Sequence, residues 1–159
     1  GRKYCIRERS RMEEASDLLA KVEVRCKKLV KYMEEKYPND ERIERLVEGF
    51  KNTVIQETLP TSTLTAYSEN KGDKIAFCLA ERKNETKLID LETITFVAIH
   101  ELAHIMTESI GHKPEFWENF KFLLHGAKES KIYMPQNFKK KPQEYCGMTI
   151  DDNPYYDYN

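Results

Sequence analysis

The sequence predicts an α+β fold in which helices come first, a small sheet follows, and two more helices come after the sheet. Three observations lead to this prediction. Apolar residues recur at helical spacing through residues 1–50, and β-branched residues then cluster within residues 53–90. Residues 90–127 return to helical patterns, while residues 128–159 lose periodicity. We expect these four parts to form one domain over residues 1–159, which is long enough for a substantial core.

The N-terminal part is predicted to form a long helix followed by a shorter one. From Met12 to Tyr37 apolar residues repeat every three or four positions, and Pro38 then ends the helix. Asp40 can cap a second, shorter helix. The apolar stripe on the long helix favours packing within its own domain over pairing with another chain.

The middle part is predicted to form a mostly antiparallel sheet of about three strands. Residues 61–68 and 75–80 flank a turn near Asn70 to Asp73, which is typical of a β-hairpin, and residues 53–57 and 87–90 could each add a strand. An edge strand beside a metal site can bind an extended peptide through its backbone. We expect that role for 75–80 or its neighbouring strand, the alternative being an ordinary sheet edge without a ligand.

The helix predicted over residues 91–106 carries the pattern H-E-x-x-H at His100, Glu101 and His104. Side chains four positions apart lie on the same face of a helix, so the two imidazoles could bind one zinc ion. Glu101 would lie beside the open coordination position, where it could accept a proton from metal-activated water. Asp90 is the expected N-cap. The alternative is a pair of hydrogen-bonded core histidines without a metal.

A third protein ligand is needed, and His112 is the predicted one. Gly111 can end the helix and turn the chain back, and Pro114 suits the first turn of another helix. The residues expected on the inner side of that helix are Phe116, Trp117, Phe120, Leu123 and Leu124. The rival third ligands are His125, Glu108 and Glu115. Glu108 could instead hydrogen-bond to the imidazole of His104.

Residues 128–159 are predicted to form an irregular segment with short helical turns. Tyr133 and Tyr145 are candidates for the hydroxyl that stabilises a tetrahedral oxyanion during peptide hydrolysis. The last nine residues are expected either to fray or to pack across a groove.

The charge pattern does not favour nucleic acid or a membrane surface as a partner of the whole chain, because the net charge is −1. The basic segment 2–11 is predicted to be a solvated helix start rather than an arm that binds nucleic acid or anionic lipid. No stretch of the sequence is long and apolar enough to predict a membrane span.

The four cysteines, Cys5, Cys26, Cys78 and Cys146, lack C-x-x-C spacing. They are expected to be reduced thiols in a cytoplasmic or nuclear compartment, the alternative being two disulfides in an exported protein. Because the sequence starts with Gly rather than Met, we keep two further alternatives. One is that a signal or anchor has been removed, and the other is a longer form that is virion-associated or membrane-anchored.

The motif region, about residues 90–125, resembles the SprT and WLM (Wss1-like) group of small zinc metalloproteases. The resemblance rests on H-E-L-A-H followed by H-K-P-E-F-W at 112–117, and bacterial YgjP-type proteins are similar. The segments FVAIHELAHI, GHKPEFWENFKFLL and YCGM also resemble a WLM-related metallopeptidase group of large DNA viruses. The resemblance implies a zincin-like fold, with His100, His104 and His112 as ligands of one Zn²⁺ and Glu101 as general base.

The predicted function is therefore that of a zinc-dependent metalloendopeptidase acting on protein or peptide substrates. The resemblance adds the hypothesis that these substrates are DNA-associated proteins. The alternative is a non-catalytic zinc-containing module that binds DNA or protein. A catalytic zinc site keeps three protein ligands and water, whereas a structural site is closed by four protein ligands.

Overall fold

A computed structural model of the chain describes residues 12–58, 66–69, 71–80 and 87–157. The helices in these residues are α1 (Met12–Lys36), α2 (Glu41–Phe50), α3 (Leu91–Met106) and α4 (Pro114–Glu129). The strands are β1 (Val54–Glu57), β2 (Ala66–Glu69), β3 (Lys74–Phe77), β4 (Gln143–Tyr145) and β5 (Met148–Ile150), and a 3₁₀ turn follows at Pro154–Tyr156. The predicted α+β fold is confirmed. The basic segment 2–11 lies outside the described residues.

The two N-terminal helices form as predicted and pack on α3. The apolar stripe of α1 is buried, with Leu19, Leu29 and Met33 fully inside the core. At the start of α2, the carboxylate of Asp40 accepts a hydrogen bond from the backbone N–H of Arg42. This contact satisfies one of the backbone donors that a helix N-terminus leaves without an intrahelical partner.

The three-stranded sheet has the order β1–β3–β2. β2 and β3 are antiparallel, as the predicted hairpin requires, and β1 runs parallel to β3. Of the two candidates for the peptide-binding edge, 75–80 or its neighbouring strand, 75–80 does not lie at an edge, because it starts in the central strand of the described sheet. The physical reason is its continuous burial at Ile75, Ala76 and Phe77, which suits a strand with neighbours on both sides.

Residues 87–90 do not form the additional strand that the sequence suggested. Leu88 makes an isolated bridge with Ala80, and the N–H of Ile89 donates to the carbonyl of Leu79. The chain then enters α3 at once, because the carboxylate of Asp90 accepts a hydrogen bond from Thr93 N–H and caps the helix. Within the described residues, 87–90 therefore make no strand pairing beyond this bridge.

Helix α3 lies at the centre of the fold, where it contacts the three other helices as well as β2 and β3. It ends at Met106, with Thr107 as the C-cap, so Gly111 is not the residue that ends it. Gly111 does adopt a positive φ of 86°, but within the following turn. The helix can end early because its last carbonyls accept hydrogen bonds from cationic side chains, among them Arg45, which donates to Met106 at 2.8 Å.

Helix α4 begins at Pro114, as predicted, and buries Phe116, Phe120, Leu123 and Leu124. Trp117 was expected on the same inner face, and that expectation is wrong because 43% of this residue is exposed. Its indole N–H donates to the carbonyl of His112, a contact that holds the ring at the surface.

The C-terminal segment is more regular than predicted, because β4 and β5 form an antiparallel hairpin. The turn between them contains Cys146 and Gly147, both with positive φ. Asn153 and Pro154 are buried, and the ring of Tyr155 lies 4.4 Å from that of His125. Of the two alternatives for the last nine residues, packing therefore holds for residues 153–155.

Cys78 and Cys146 form a disulfide that ties the β4–β5 hairpin to the segment after β3. The expectation of reduced thiols is therefore wrong for this pair, while Cys26 is a buried free thiol. Cys5 lies outside the described residues. Disulfides persist mainly in oxidising surroundings, so the bond does not support the reducing compartment that the sequence suggested. Among the described residues, no helix is long and apolar enough to cross a membrane.

We expect reduction of this disulfide to lower the free energy of unfolding by about 2–4 kcal/mol, because the bond restricts the unfolded chain. The measurement is urea unfolding of the parent chain and of the Cys78→Ser/Cys146→Ser double variant, each with and without a reducing agent. The reducing agent should lower the free energy of unfolding of the parent chain and leave that of the double variant unchanged. A parent chain that responds to reductant no more than the double variant would contradict the pairing.

Candidate active site

Three histidines converge beside helix α3. His100 and His104 leave the helix one turn apart, and His112 reaches back from the turn before α4. One ring nitrogen from each can be chosen so that all three lie within 4.8 Å of one another. The Nε2 atoms of His104 and His112 are 3.1 Å apart. Two nitrogens bound to one tetrahedral zinc at about 2.0–2.1 Å would be about 3.3 Å apart, so the spacing fits a single ion.

The first turn of α4 holds this cluster in place. The ring of Phe116 lies within 5.1 Å of the rings of His100, His104 and His112, centroid to centroid. Trp117 donates its indole N–H to the carbonyl of His112 at 3.1 Å. The apolar ring restricts the rotation of the imidazoles, and the indole hydrogen bond fixes the backbone that carries the third one.

The electrostatic setting favours the neutral form of His104 and His112. Burial, together with the nearby His100 and His112, lowers the pKa of His104 to about 3. Burial lowers the pKa of His112, and the proximity of His100 lowers it further by a smaller amount. Desolvation disfavours the charged imidazolium, which explains both directions. A metal-binding histidine must be neutral, so these two side chains have the protonation state that coordination needs.

Glu101 is buried next to the histidines. Its Oε2 lies 2.8 Å from the Nδ1 of His100, and the residue lines the open space in front of the cluster. A carboxylate in this position can accept a proton from a molecule that approaches the histidines.

Lys71 contributes to the structure of the candidate site, and the sequence did not predict this role. Its ammonium donates to the carbonyls of His104, Thr107 and Ser109 at 2.9, 2.7 and 2.9 Å. These carbonyls belong to the last turn of α3 and to the turn that leads to His112. Lys71 therefore joins the two segments that carry the clustered histidines. Its place in an N-K-G-D turn gave no signal of this role, because the contact depends on how the sheet packs against α3.

The rival third ligands do not join the cluster. His125 lies on the other side of α4, where it stacks on a C-terminal tyrosine. Glu108 is exposed and lies 3.8 Å from Arg45, so it also does not support the imidazole of His104. Glu115 accepts hydrogen bonds from the backbone N–H and hydroxyl of Ser109. Among the three alternatives to His112, the structure therefore brings none to the site.

The two tyrosine candidates differ in their placement. Tyr145 lines the space that Glu101 also lines, and its hydroxyl accepts a hydrogen bond from the backbone N–H of Cys78 at 2.9 Å. Burial, with a smaller contribution from the charge of Glu101, raises its pKa. The hydroxyl of Tyr133 accepts a hydrogen bond from Asn153, and this residue does not line the space in front of the histidines. Only Tyr145 is positioned near the cluster.

Two grooves meet at the cluster, with volumes of about 380 and 450 Å³. His100, Glu101 and His112 line both of them. The smaller one, which we call the apolar groove, is bounded by α3, α4 and the β4–β5 hairpin. The larger one, the β2 groove, runs along residues 66–68 of strand β2 and past Lys71. The histidines are therefore accessible to a chain that crosses from one groove to the other.

Residues 5–155 match the family model of the WLM domain. The chain belongs to the WLM domain family. This WLM domain is 29% identical over 154 residues to the uncharacterized protein R325 of Acanthamoeba polyphaga mimivirus. The matched region covers 94% of this chain and 78% of that protein. It is also 30% identical over 74 residues to the uncharacterized protein 136R of Invertebrate iridescent virus 6. That match covers 46% of this chain and 40% of that protein.

The fold is similar to the crystal structure of Wss1 from Saccharomyces cerevisiae, with a TM-score of 0.62 and 20% identity over 82% of this chain and 90% of that one. A Wss1 mutant gives a TM-score of 0.61 at 20% identity, over 83% of this chain and 95% of that one. The predicted WLM resemblance, the zincin-like fold and the similarity to viral proteins are thus confirmed. The WLM domain is a metalloprotease-family domain, and its three clustered histidines could bind a metal.

We expect the single variants His100→Ala, His104→Ala and His112→Ala to lose stoichiometric zinc, because two imidazoles bind the ion much more weakly than three. Elemental analysis after dialysis against dilute zinc gives the ratio of metal to protein. His125→Ala is the matched control and should retain one ion per chain. Full zinc content in the His112→Ala variant, or loss of zinc in the control, would contradict the assigned ligand set.

We expect Lys71→Met to weaken zinc binding by about tenfold, since the variant leaves three carbonyls without their donor and loosens the turn to His112. Competition with a chelator measures the zinc affinity. The control is Lys74→Met, because Lys74 lies on β3, where its ammonium is 3.8 Å from Glu69. Equal zinc affinities in the two variants would mean that Lys71 does not hold the site together.

Proposed function

We propose that this WLM domain is a zinc-dependent endopeptidase in which His100, His104 and His112 bind one zinc ion and Glu101 acts as the general base. The observation that carries the proposal is the convergence of three imidazoles beside a buried carboxylate at the meeting point of two grooves. Within the described residues, the cluster contains no fourth histidine, cysteine or carboxylate ligand. Three protein ligands leave one position for water, which is typical of catalytic rather than structural zinc.

A zinc ion at this cluster would supply Lewis-acid polarisation of the scissile carbonyl and would lower the pKa of water. Glu101 accepts the proton of the water that attacks the carbonyl carbon, and then delivers this proton to the nitrogen of the leaving amine. The contact with His100 Nδ1 fixes the carboxylate close to the reacting atoms. The C–N bond breaks as the proton arrives, so the products are a carboxylate and an amine.

The substrate would lie extended along strand β2. Residues 66–68 of this strand line the β2 groove, and within the described residues β2 pairs with β3 on one side only. An extended peptide can add to such an edge through backbone hydrogen bonds. The sheet order supports the second of the two sequence candidates, the strand next to the 75–80 segment, for the peptide-binding role. That the natural substrates are DNA-associated proteins remains a prediction from the family resemblance.

Tyr145 is our candidate for the donor that stabilises the oxyanion. Its hydroxyl accepts a hydrogen bond from the N–H of Cys78, and the residue lines the apolar groove, which Glu101 also lines. Tyr133 is not in position for this role, because its hydroxyl contacts Asn153 away from the histidines.

We expect Glu101→Gln to retain zinc but to reduce the rate of peptide hydrolysis by about 10²–10⁴-fold, because the amide cannot accept the proton of the attacking water. Cleavage of a denatured protein by the zinc-loaded chain is the assay, with zinc content measured in parallel. Glu108→Gln, an exposed glutamate just beyond the same helix, is the control and should cleave like the parent. A parent chain that binds zinc without any hydrolysis would favour the non-catalytic binding module instead.

We expect Tyr145→Phe to lower kcat by about 10²–10³-fold with a much smaller change in KM, since an oxyanion donor acts in the transition state. Tyr133→Phe also removes a buried hydroxyl and provides the matched control for lost stability. Steady-state kinetics are measured well below the melting temperatures of both variants, so that lost catalysis is separated from lost stability. If the two variants lose activity equally, Tyr145 has only a structural role.

A further inference from the structure

Beyond the chemistry of the cluster, we propose that the apolar groove is a specificity pocket for a large apolar side chain, aromatic or long aliphatic, of a residue that flanks the scissile bond. This inference rests on the proposed peptidase function and names its substrate class. The side chains that give the groove its character are Phe96, Val97, Trp117, Phe120, Met148 and Ile150.

The groove reaches the proposed reacting groups. His100, Glu101 and His112 line it and also line the β2 groove, so a side chain that enters beside them belongs to a residue next to the cleaved bond rather than to a remote one. Its volume of about 380 Å³ falls within the range of about 300–1,000 Å³ that is typical of ligand pockets. Such pockets combine apolar walls with a few polar groups, which is the composition found here.

The two sides of the cluster differ in chemistry. The β2 groove is lined by Tyr67, Ser68 and Lys71 and, among the described residues, by the aliphatic side chains of Ala66 and Ile110. It therefore has fewer apolar side chains than the apolar groove. A peptide lying across both would therefore place its larger apolar residue on the side of Trp117 and Met148. These two side chains are 43% and 49% exposed, and large apolar surface at the rim of a site marks a place where a ligand binds.

The walls of the apolar groove are fixed before a substrate arrives. Met148 and Ile150 lie on β5, and the hairpin that contains it is tied to the segment after β3 by the Cys78–Cys146 disulfide. The opposite wall belongs to α3 and α4, which pack against each other in the core. A preformed pocket loses little conformational entropy on binding, which favours discrimination between substrates.

The rim of the groove is acidic. Asp151 and Asp152 are exposed and line the groove, and Lys139 lies 3.6 Å from Asp152. A negative rim disfavours aspartate and glutamate at the same substrate position, because like charges repel. The pocket should therefore accept phenylalanine, leucine or methionine and reject acidic residues.

The test uses zinc-loaded protein and a series of peptides that differ only in one residue beside the cleaved bond. We expect kcat/KM to be at least about tenfold higher for phenylalanine or leucine than for alanine, and lowest for glutamate. Met148→Glu should reduce this preference, whereas Met134→Glu changes an exposed methionine outside the groove and should leave it unchanged. A preference that survives Met148→Glu, or the absence of any preference in a chain that cleaves, would overturn the inference.

A binding measurement separates this inference from the proposed function. Trp117 is the single tryptophan of the chain and lines the groove, so its fluorescence reports occupation directly. We expect the zinc-loaded Glu101→Gln variant to bind the phenylalanine peptide at least about tenfold more tightly than the alanine peptide, with a shift in tryptophan emission. If the parent cleaves nothing but this difference is seen, the peptidase proposal fails and the pocket stands. Equal binding of both peptides would overturn the pocket even if cleavage occurs.

Discussion

The fold depends on one constraint, which is that helix α3 is buried on nearly every side and yet carries two imidazoles and a carboxylate. Burial of unpaired polar groups is costly, so the surrounding elements must compensate for them. They do so by placing His112 and the ring of Phe116 against the first two histidines and by leaving the carboxylate of Glu101 at a groove. A metal ion would complete this compensation by replacing three solvated imidazole nitrogens with coordinate bonds.

The features that follow from local chemistry could be predicted from the sequence. Asp40 and Asp90 cap the helices that they precede, and Pro114 begins α4, because these effects involve only the first turn of a helix. The histidine spacing predicted that His100 and His104 share one face of α3 for the same reason. The place of His112 in the cluster was predicted from its position after a glycine turn, although that glycine lies beyond the helix end rather than at it.

The features that depend on contacts between distant segments could not be predicted. The pairing of Cys78 with Cys146 joins residues 68 positions apart, and no local pattern selects one partner over another. The central position of β3 depends on where the chain returns after β1. Lys71 reaches three carbonyls of the α3 terminus only because its turn lies beside that terminus. These same long-range contacts fix the turn to His112 and one wall of the apolar groove.

The most direct test of the account is the anomalous diffraction signal of crystals grown with zinc, measured on both sides of the zinc absorption edge. The account predicts one strong peak at about 2.0–2.1 Å from a nitrogen of each of the three histidines, with a solvent molecule as the fourth ligand. A peak closed by a fourth protein ligand, or the absence of a peak between the three rings, would contradict it.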